Sequence, residues 1–202
     1  MNKTCCFTGH RPKSLPFGYD EGAEGCKRLK ALLTEGIEKQ ITENGVTHFI
    51  SGMAMGVDIY AAEAVLELKE KYPHITLECA IPCETQANRW SEGWRNRYFD
   101  IIYRSDDAQT LQTHYTSDCM MKRNKYMVDN SDVVIAVWNG EKSGTGNTVD
   151  YALKNGKKVI IIDPNILYIF YLYLKLVLIL LLLQLKLYNN LTKQRCTRGY
   201  KR

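Results

Sequence analysis

Three short segments of this 202-residue sequence combine glycine with hydroxyl, amide or guanidinium side chains, the residue types that meet a phosphate or a ribose. The first, SGMAMGVD, runs from Ser51 through Gly52, Met53 and Gly56 to Asp58. Its two glycines would let backbone N–H groups approach an anion without a Cβ in the way. The second, SGTGNT, offers Gly144, Thr145, Gly146, Asn147 and Thr148 just beyond a strand that ends at Trp138. The third is Thr8-Gly9-His10-Arg11. Arg123, followed by Asn124, is the cation expected to point at a phosphate, because a guanidinium fork matches phosphate oxygens. Each feature also has a plain structural explanation: a tight strand-to-helix turn for Gly52 and Gly56, an N-cap for Asn147 or Thr148, a solvated helix face for Arg123. The spacing is neither that of the G-x-G-x-x-G fingerprint nor that of a Walker loop. His10 lacks a Cys or Ser at a spacing that argues for a nucleophilic triad. No cofactor motif and no metal-ligand set is read; Cys79 and Cys83 have no His or third Cys nearby.

The elements that must position these segments alternate. Strands are expected over Thr4 to Thr8, Thr47 to Ser51, Ile75 to Ile81, Asp132 to Trp138 and Lys157 to Asp163. Between them, Leu29, Leu32, Leu33, Ile37 and Ile41 recur at helical spacing, as do Val57, Ala61, Ala64, Val65 and Leu68. Further helices are expected from Gln86 to about Arg104, over Met120 to Val128, and over Val149 to Lys154. Trp90, Trp94 and Tyr98 make a stripe on the first of these, read as core, with Arg89 and Arg97 on a neighbouring face. This order specifies an α/β domain, a Rossmann-like open parallel sheet with helices on both faces. In such a sheet ligands bind beyond the carboxyl ends of the strands, where all three segments lie, and that convergence points to a ligand.

Charge narrows the ligand. The net charge is +5, but seven of the 27 Lys and Arg follow Asn165 whereas all 22 Asp and Glu precede it, which leaves the domain at 20 against 22, a net −2. A sequence-independent nucleic-acid binder needs excess positive charge over its contact face, so this balance disfavours nucleic acid and favours a small nucleotide-like partner. Seven cysteines without a Cys-x-x-Cys pair, and a start without a basic and apolar leader, point to a cytoplasmic protein. A homo-oligomer is allowed.

The domain is expected to occupy residues 1–165. Beyond Pro164 no Asp, Glu, Ala or Pro occurs, and residues 166–183 are apolar apart from three tyrosines and Lys175, close to the length that spans a bilayer. The 166–202 segment is thus an aberrant apolar, then basic, tail. A membrane tether through 166–183 is physically allowed. Alternating Leu172, Leu174, Leu176, Leu178 and Leu180 also fit a strand, and the residue types, encoded by A- and T-rich codons, fit a frameshifted or read-through end.

Taken together the segments resemble the SLOG superfamily. SGMAMGVDIYAAEAVL is similar to the glycine motif of DNA-processing protein A. The order Arg123-Asn124, Ser131-Asp132 and Ser143-Gly144-Thr145-Gly146 resembles that of the LOG phosphoribohydrolases. The CFTGHRP opening, Cys6 to Pro12, resembles the YpsA-like subgroup. The likeness covers residues 3 to 164 and implies a nucleotide or nucleotide-derived ligand, of NAD or ADP-ribose type, in a sensor or regulator. It also implies two alternatives, a nucleoside 5′-monophosphate phosphoribohydrolase and a single-strand DNA binder. The sequence departs from the enzymes: their Lys is Asn124, their first loop glycine is Ser143, and their catalytic Glu maps to Asp150 in one register and to no acid in another.

Overall fold

The fold follows from six short segments, five of them rich in apolar residues and the sixth polar. In the computed structural model, which describes residues 3–165, 176, 177, 179–181 and 184, they form β1 (Lys3–Gly9), β2 (Val46–Ser51), β3 (Thr76–Ile81), β4 (Asp107–Thr110), β5 (Val133–Val137) and β6 (Lys158–Ile162). All pairings are parallel and the strand order is β4-β3-β2-β1-β5-β6. The central strands are buried on both faces, as continuous runs such as VVIAV in β5 require.

Helices α1 (Glu24–Asn44) and α2 (Val57–Lys71) cover β1 to β3 on one face, and α4 (Cys119–Asp129) and α5 (Gly144–Lys154) cover the other. Strand alternation divides the core between the two layers. Cys6, Ile50, Ala80 and Val134 pack with Met127, Val128 and Ala152 of α4 and α5. Their neighbours Phe7 and Phe49 stack at 6.0 Å. Cys5, Cys6, Cys26, Cys79, Cys83 and Cys119 are buried free thiols, used as small core residues.

Three elements depart from the expected ones by more than a residue or two at an end. The helix expected from Gln86 begins later, as α3 (Glu92–Arg104), and residues 84–89 form turns. Trp90 therefore lies outside the helix, although its ring still meets Tyr98 edge-on at 5.4 Å. The helix expected from Val149 begins five residues earlier, at Gly144, because the Ser143 hydroxyl caps it by accepting from the Gly146 N–H at 3.0 Å. Finally, β4 was not expected. Its sequence DAQT is polar and exposed throughout, so it carries no apolar signal, and it forms because its backbone pairs with β3 at the sheet edge.

Backbone contacts separate residues Met1–Pro164 from Asn165–Arg202. In the second unit the described residues are helical, and among the described residues no helix is long and apolar enough to cross a membrane. Most of the 166–183 stretch read as a tether, and the rest of the basic end, lie outside the described residues.

Candidate functional site

The chain adds β2, β3 and β4 successively on one side of β1, then crosses to place β5 on the other. A crevice must open beyond the carboxyl ends of β1 and β5, where the connections leave the sheet in opposite directions. Two close approaches build its floor. A Cβ on Gly9 would lie 2.4 Å from Val57 Cγ1, so only glycine lets the end of β1 meet the start of α2. Gly56 sits at φ +94°, and a Cβ there would lie 2.8 Å from the His10 carbonyl oxygen. That carbonyl accepts the Val57 N–H at 3.4 Å. The loop after β1 and the loop after β2 are thereby held together.

Within the second loop the left-handed residue is Met53, φ 56°, a rare conformation for a side chain of this size. It is held from both sides: its N–H donates to Ser51 Oγ at 3.2 Å, and its carbonyl accepts from Gln86 Nε2 at 2.7 Å. Ser51 Oγ donates in turn to the Asp58 carbonyl at 2.8 Å. The Asp58 carboxylate folds back and accepts the Ala54 N–H at 3.3 Å. The glycine loop thus caps itself with an internal carboxylate.

Arg123 reaches this carboxylate from α4. Its Nη1 lies 3.6 Å from Asp58 Oδ2, and both side chains are almost wholly buried. Burial raises the Asp58 pKa, opposed by Arg123 and the Ala54 N–H, and burial lowers that of Arg123 despite Asp58. Arg123 Nη1 makes no hydrogen bond. The rest of the guanidinium is tied to α5: Nε donates to Asn124 Oδ1 at 2.8 Å, Asn124 Nδ2 donates to Thr148 Oγ1 at 2.7 Å, and Thr148 Oγ1 donates to the Gly144 carbonyl at 2.9 Å. Asn124 is thus the coupling between the cation and the first turn of α5.

The crevice has a volume of about 240 Å³ and is lined by Thr8, Gly9, His10, Arg11, Asp58, Arg123, Asn124, Gly144 and Thr145, all expected, and by Ser14, Ala54, Met120 and Ser143. Ser14 lies on a single 3-10 turn (Pro12–Ser14) and Met120 one helical turn before Arg123, positions without a glycine or charge to mark them. His10 Nε2 lies 2.9 Å from Asn139 Oδ1, which ties the loops after β1 and β5 together.

Ser51, Gly52, Met53 and Gly56 do not line the crevice and serve as its support. At Gly52, which the sequence reading reserved for a ligand's approach, a Cβ would lie 2.1 Å from Arg123 Nη1, so the space is taken by the arginine. Trp138, Gly146 and Thr148 also stand behind the lining, and Asn147 is exposed outside it; Trp138 Nε1 donates to the Glu141 carbonyl at 2.7 Å. Asp150 is exposed and lines a separate groove with Lys125, Asn147 and Tyr151, so the carboxylate at the crevice is Asp58. Arg97, on the face beside the Trp90, Trp94 and Tyr98 stripe, clamps Glu63 through Nε at 2.7 Å and Nη2 at 2.8 Å and pairs with Glu21.

A sequence model of YpsA, described as the YspA SLOG family, matches residues 5–165, from β1 to the close of β6. The chain belongs to this family. It is 35% identical over 139 residues to an uncharacterised SPbeta prophage-derived protein of Bacillus subtilis, YoqJ, covering 63% of this chain and 81% of that one. It is 29% identical over 158 residues to a UPF0398 protein of Halalkalibacterium halodurans, covering 77% of this chain and 81% of that one. Among solved structures it is similar to DNA processing protein A of Helicobacter pylori (TM-score 0.52, 21% identity) and of Streptococcus pneumoniae (TM-score 0.54, 19% identity). The first covers 79% of this chain and the second 80%, but the chain spans only 64% and 50% of their lengths. The likeness is one of fold. In this YspA SLOG chain the matched region contains the whole crevice, so both the glycine loop capped by Asp58 and the Arg123-Asn124 coupling are features of its SLOG domain.

Proposed function

We propose that the crevice binds a nucleotide or nucleotide-derived ligand, of the NAD or ADP-ribose class, and that the protein acts as a sensor or regulator rather than as a catalyst. The observation that carries this reading is Arg123, whose guanidinium side chain lines a crevice that also holds Arg11 and the first turn of α5, while its buried Nη1 faces Asp58 at 3.6 Å without a hydrogen bond. The cation is thus only partly compensated inside the protein, and an anionic ligand in the crevice would be favoured by Arg123 and Arg11 together. Gly144 and Thr145 carry N–H groups of an N-terminal helical turn, which also favours negative charge. A volume of about 240 Å³ is below the roughly 300–1,000 Å³ of sites that enclose drug-sized ligands, so it suits one phosphate-bearing half of a dinucleotide or a mononucleotide.

Hydrolysis of an N-glycosidic bond would need a carboxylate free to act on water or the leaving base. Asp58 is engaged by Arg123 and the Ala54 N–H, and Asp150 lines a different groove, which favours binding over catalysis.

The test is titration calorimetry of the full chain with AMP, ADP-ribose and NAD, with chromatography of each mixture for released base. Saturable binding without free base is expected. Release of adenine or nicotinamide at many turnovers per chain would replace this reading with the hydrolase. Heatless titrations with all three, beside salt-sensitive binding of a single-stranded oligonucleotide, would replace it with the DNA reading.

A further inference from the structure

Helix α3 turns one side to the domain and leaves the other uncovered. Tyr98 and Ile101 are buried against the domain, and Arg97 is held by Glu63 and Glu21. The opposite side carries Glu92, Arg95, Asn96, Phe99, Asp100 and Tyr103, all exposed. Two of these are aromatic, with Phe99 60% and Tyr103 89% accessible to solvent. Two exposed aromatics one turn apart on a single helix face, beside an exposed arginine, match the residue types enriched at protein interfaces. The patch is also held in place: the Phe99 ring stands edge-on to buried Tyr98 at 5.2 Å, and Asp100 pairs with Arg104 at 3.2 Å.

From this face we infer that the protein associates with a second copy of itself, α3 against α3 in antiparallel orientation about a two-fold axis through Phe99. The order of the residues is self-complementary about that point. Arg95 lies four residues before Phe99 and Tyr103 four residues after it, each about 6 Å along the helix at 1.5 Å per residue. Reversal of the second helix brings Arg95 to the level of the partner's Tyr103, and does so twice. A guanidinium over an aromatic face is attractive, and it is the pairing of aromatic anchors with arginine that concentrates binding energy at interfaces. Phe99 meets its own copy at the centre, as a two-fold interface requires of a residue on its axis. A parallel arrangement would instead set Arg95 against Arg95. A single helix pair covers less than the roughly 1,200–2,000 Å² of a standard stable interface, so the dimer is a weak one, formed at micromolar concentrations or above. The crevice lies at the ends of β1 and β5, built from other residues, so this association stands apart from ligand binding.

Sedimentation of the full chain over a wide concentration range tests this. The weight-average mass of the wild type should rise towards that of a dimer. Phe99→Glu should hold it at the monomer with an unchanged melting temperature, because Phe99 is largely exposed. Arg95→Glu should weaken the dimer at least several-fold, and Arg95→Glu combined with Tyr103→Lys should restore it by placing opposite charges across the axis, an effect no intrachain role of residues eight apart would produce. Under mild oxidant Phe99→Cys should cross-link more than the wild type. Association unaltered by Phe99→Glu and Arg95→Glu would overturn the inference by locating self-association on another surface. So would a wild type that stays monomeric at several hundred micromolar. A monomeric wild type that binds a thymidine 20-mer, with binding lost in Phe99→Glu, would assign the face to nucleic acid instead.

Discussion

Arg123 Nη1 lies 3.6 Å from Asp58 Oδ2, and the position of Gly52 leaves room for that approach: a Cβ on residue 52 would come within 2.1 Å of the same nitrogen. Two segments 65 residues apart, the glycine loop and α4, meet in one buried charge pair, and the first predictions concern how that pair fails.

Gly52→Ala forces Arg123 and Asp58 out of their present positions, since the added carbon would also lie 2.7 Å from Asp58 Oδ2. Side-chain ends can shift, but these are buried, so a loss of about 1–3 kcal/mol is expected from overpacking, with loss of nucleotide binding. Thermal melts and AMP titrations of the same preparation check both; a variant that binds normally would show that the Arg123 position is unimportant to the ligand.

Arg123→Ala leaves Asp58 buried without its cation. Ligand affinity should fall roughly ten- to a hundred-fold, the equivalent of a charge-assisted contact. Stability should fall as well. Because burial already holds the Asp58 pKa above its usual range, and removing Arg123 raises it further, the ionised form is the destabilised one. The stability deficit should therefore be largest at neutral or higher pH and shrink as acid protonates Asp58. Asp58→Asn in the Arg123→Ala background should recover part of the loss at neutral pH, measured as a double-mutant cycle by urea unfolding.

Glu78 on β3 accepts from Tyr126 at 2.8 Å and lies 3.1 Å from His48 Nε2, and these bonds, His48 first, hold its pKa below the usual carboxylate value. A depressed carboxylate stabilises the fold above its unfolded pKa, about 4.3, and loses that contribution as pH falls through the folded value. Glu78→Gln should cost about 1–2 kcal/mol near neutral pH. The gap between wild type and variant should close as pH drops below about 4.3, and melting curves from pH 3 to 7 would show a constant gap if the carboxylate charge were irrelevant.

Arg97 joins Glu21 in the connection after β1 to Glu63 of α2, with its guanidinium 4.4 Å from the Trp94 ring centre. Arg97→Lys keeps the charge but loses the fork and the stacking, so it should recover little of the stability that Arg97→Ala removes. Nucleotide affinity should stay within a few-fold in both, since Arg97 does not line the crevice. A lysine variant as stable as the wild type in urea would reduce the clamp to simple charge pairing.

A chain ended after Asn165 keeps β1 to β6 and α1 to α5. It should give the far-ultraviolet spectrum and the cooperative melt of a folded α/β domain. Insoluble truncated protein beside soluble full chain would mean that the tail completes the core.

The alternation of apolar runs with helical periodicities is written in the residues themselves, because burial on both faces leaves a continuous hydrophobic strand and burial on one side leaves a 3.6-residue stripe. That was enough to place five strands, the order of the helices and the three glycine-bearing segments. The strand DAQT was invisible because backbone pairing at an edge asks nothing of side chains. The early start of α5 was hidden by Gly144 and Gly146, which read as a loop until Ser143 is seen to cap them. What glycine is for at position 52 could not be read either, since a missing Cβ admits a ligand and a neighbouring side chain equally. Only the packing of α4 against the sheet decided that Arg123 fills that space, that Asp58 caps its own loop, and that one guanidinium nitrogen is left facing its carboxylate without a hydrogen bond. The Arg123 contacts join residues 65 or more positions apart through the close packing of a folded interior, which local periodicity does not encode.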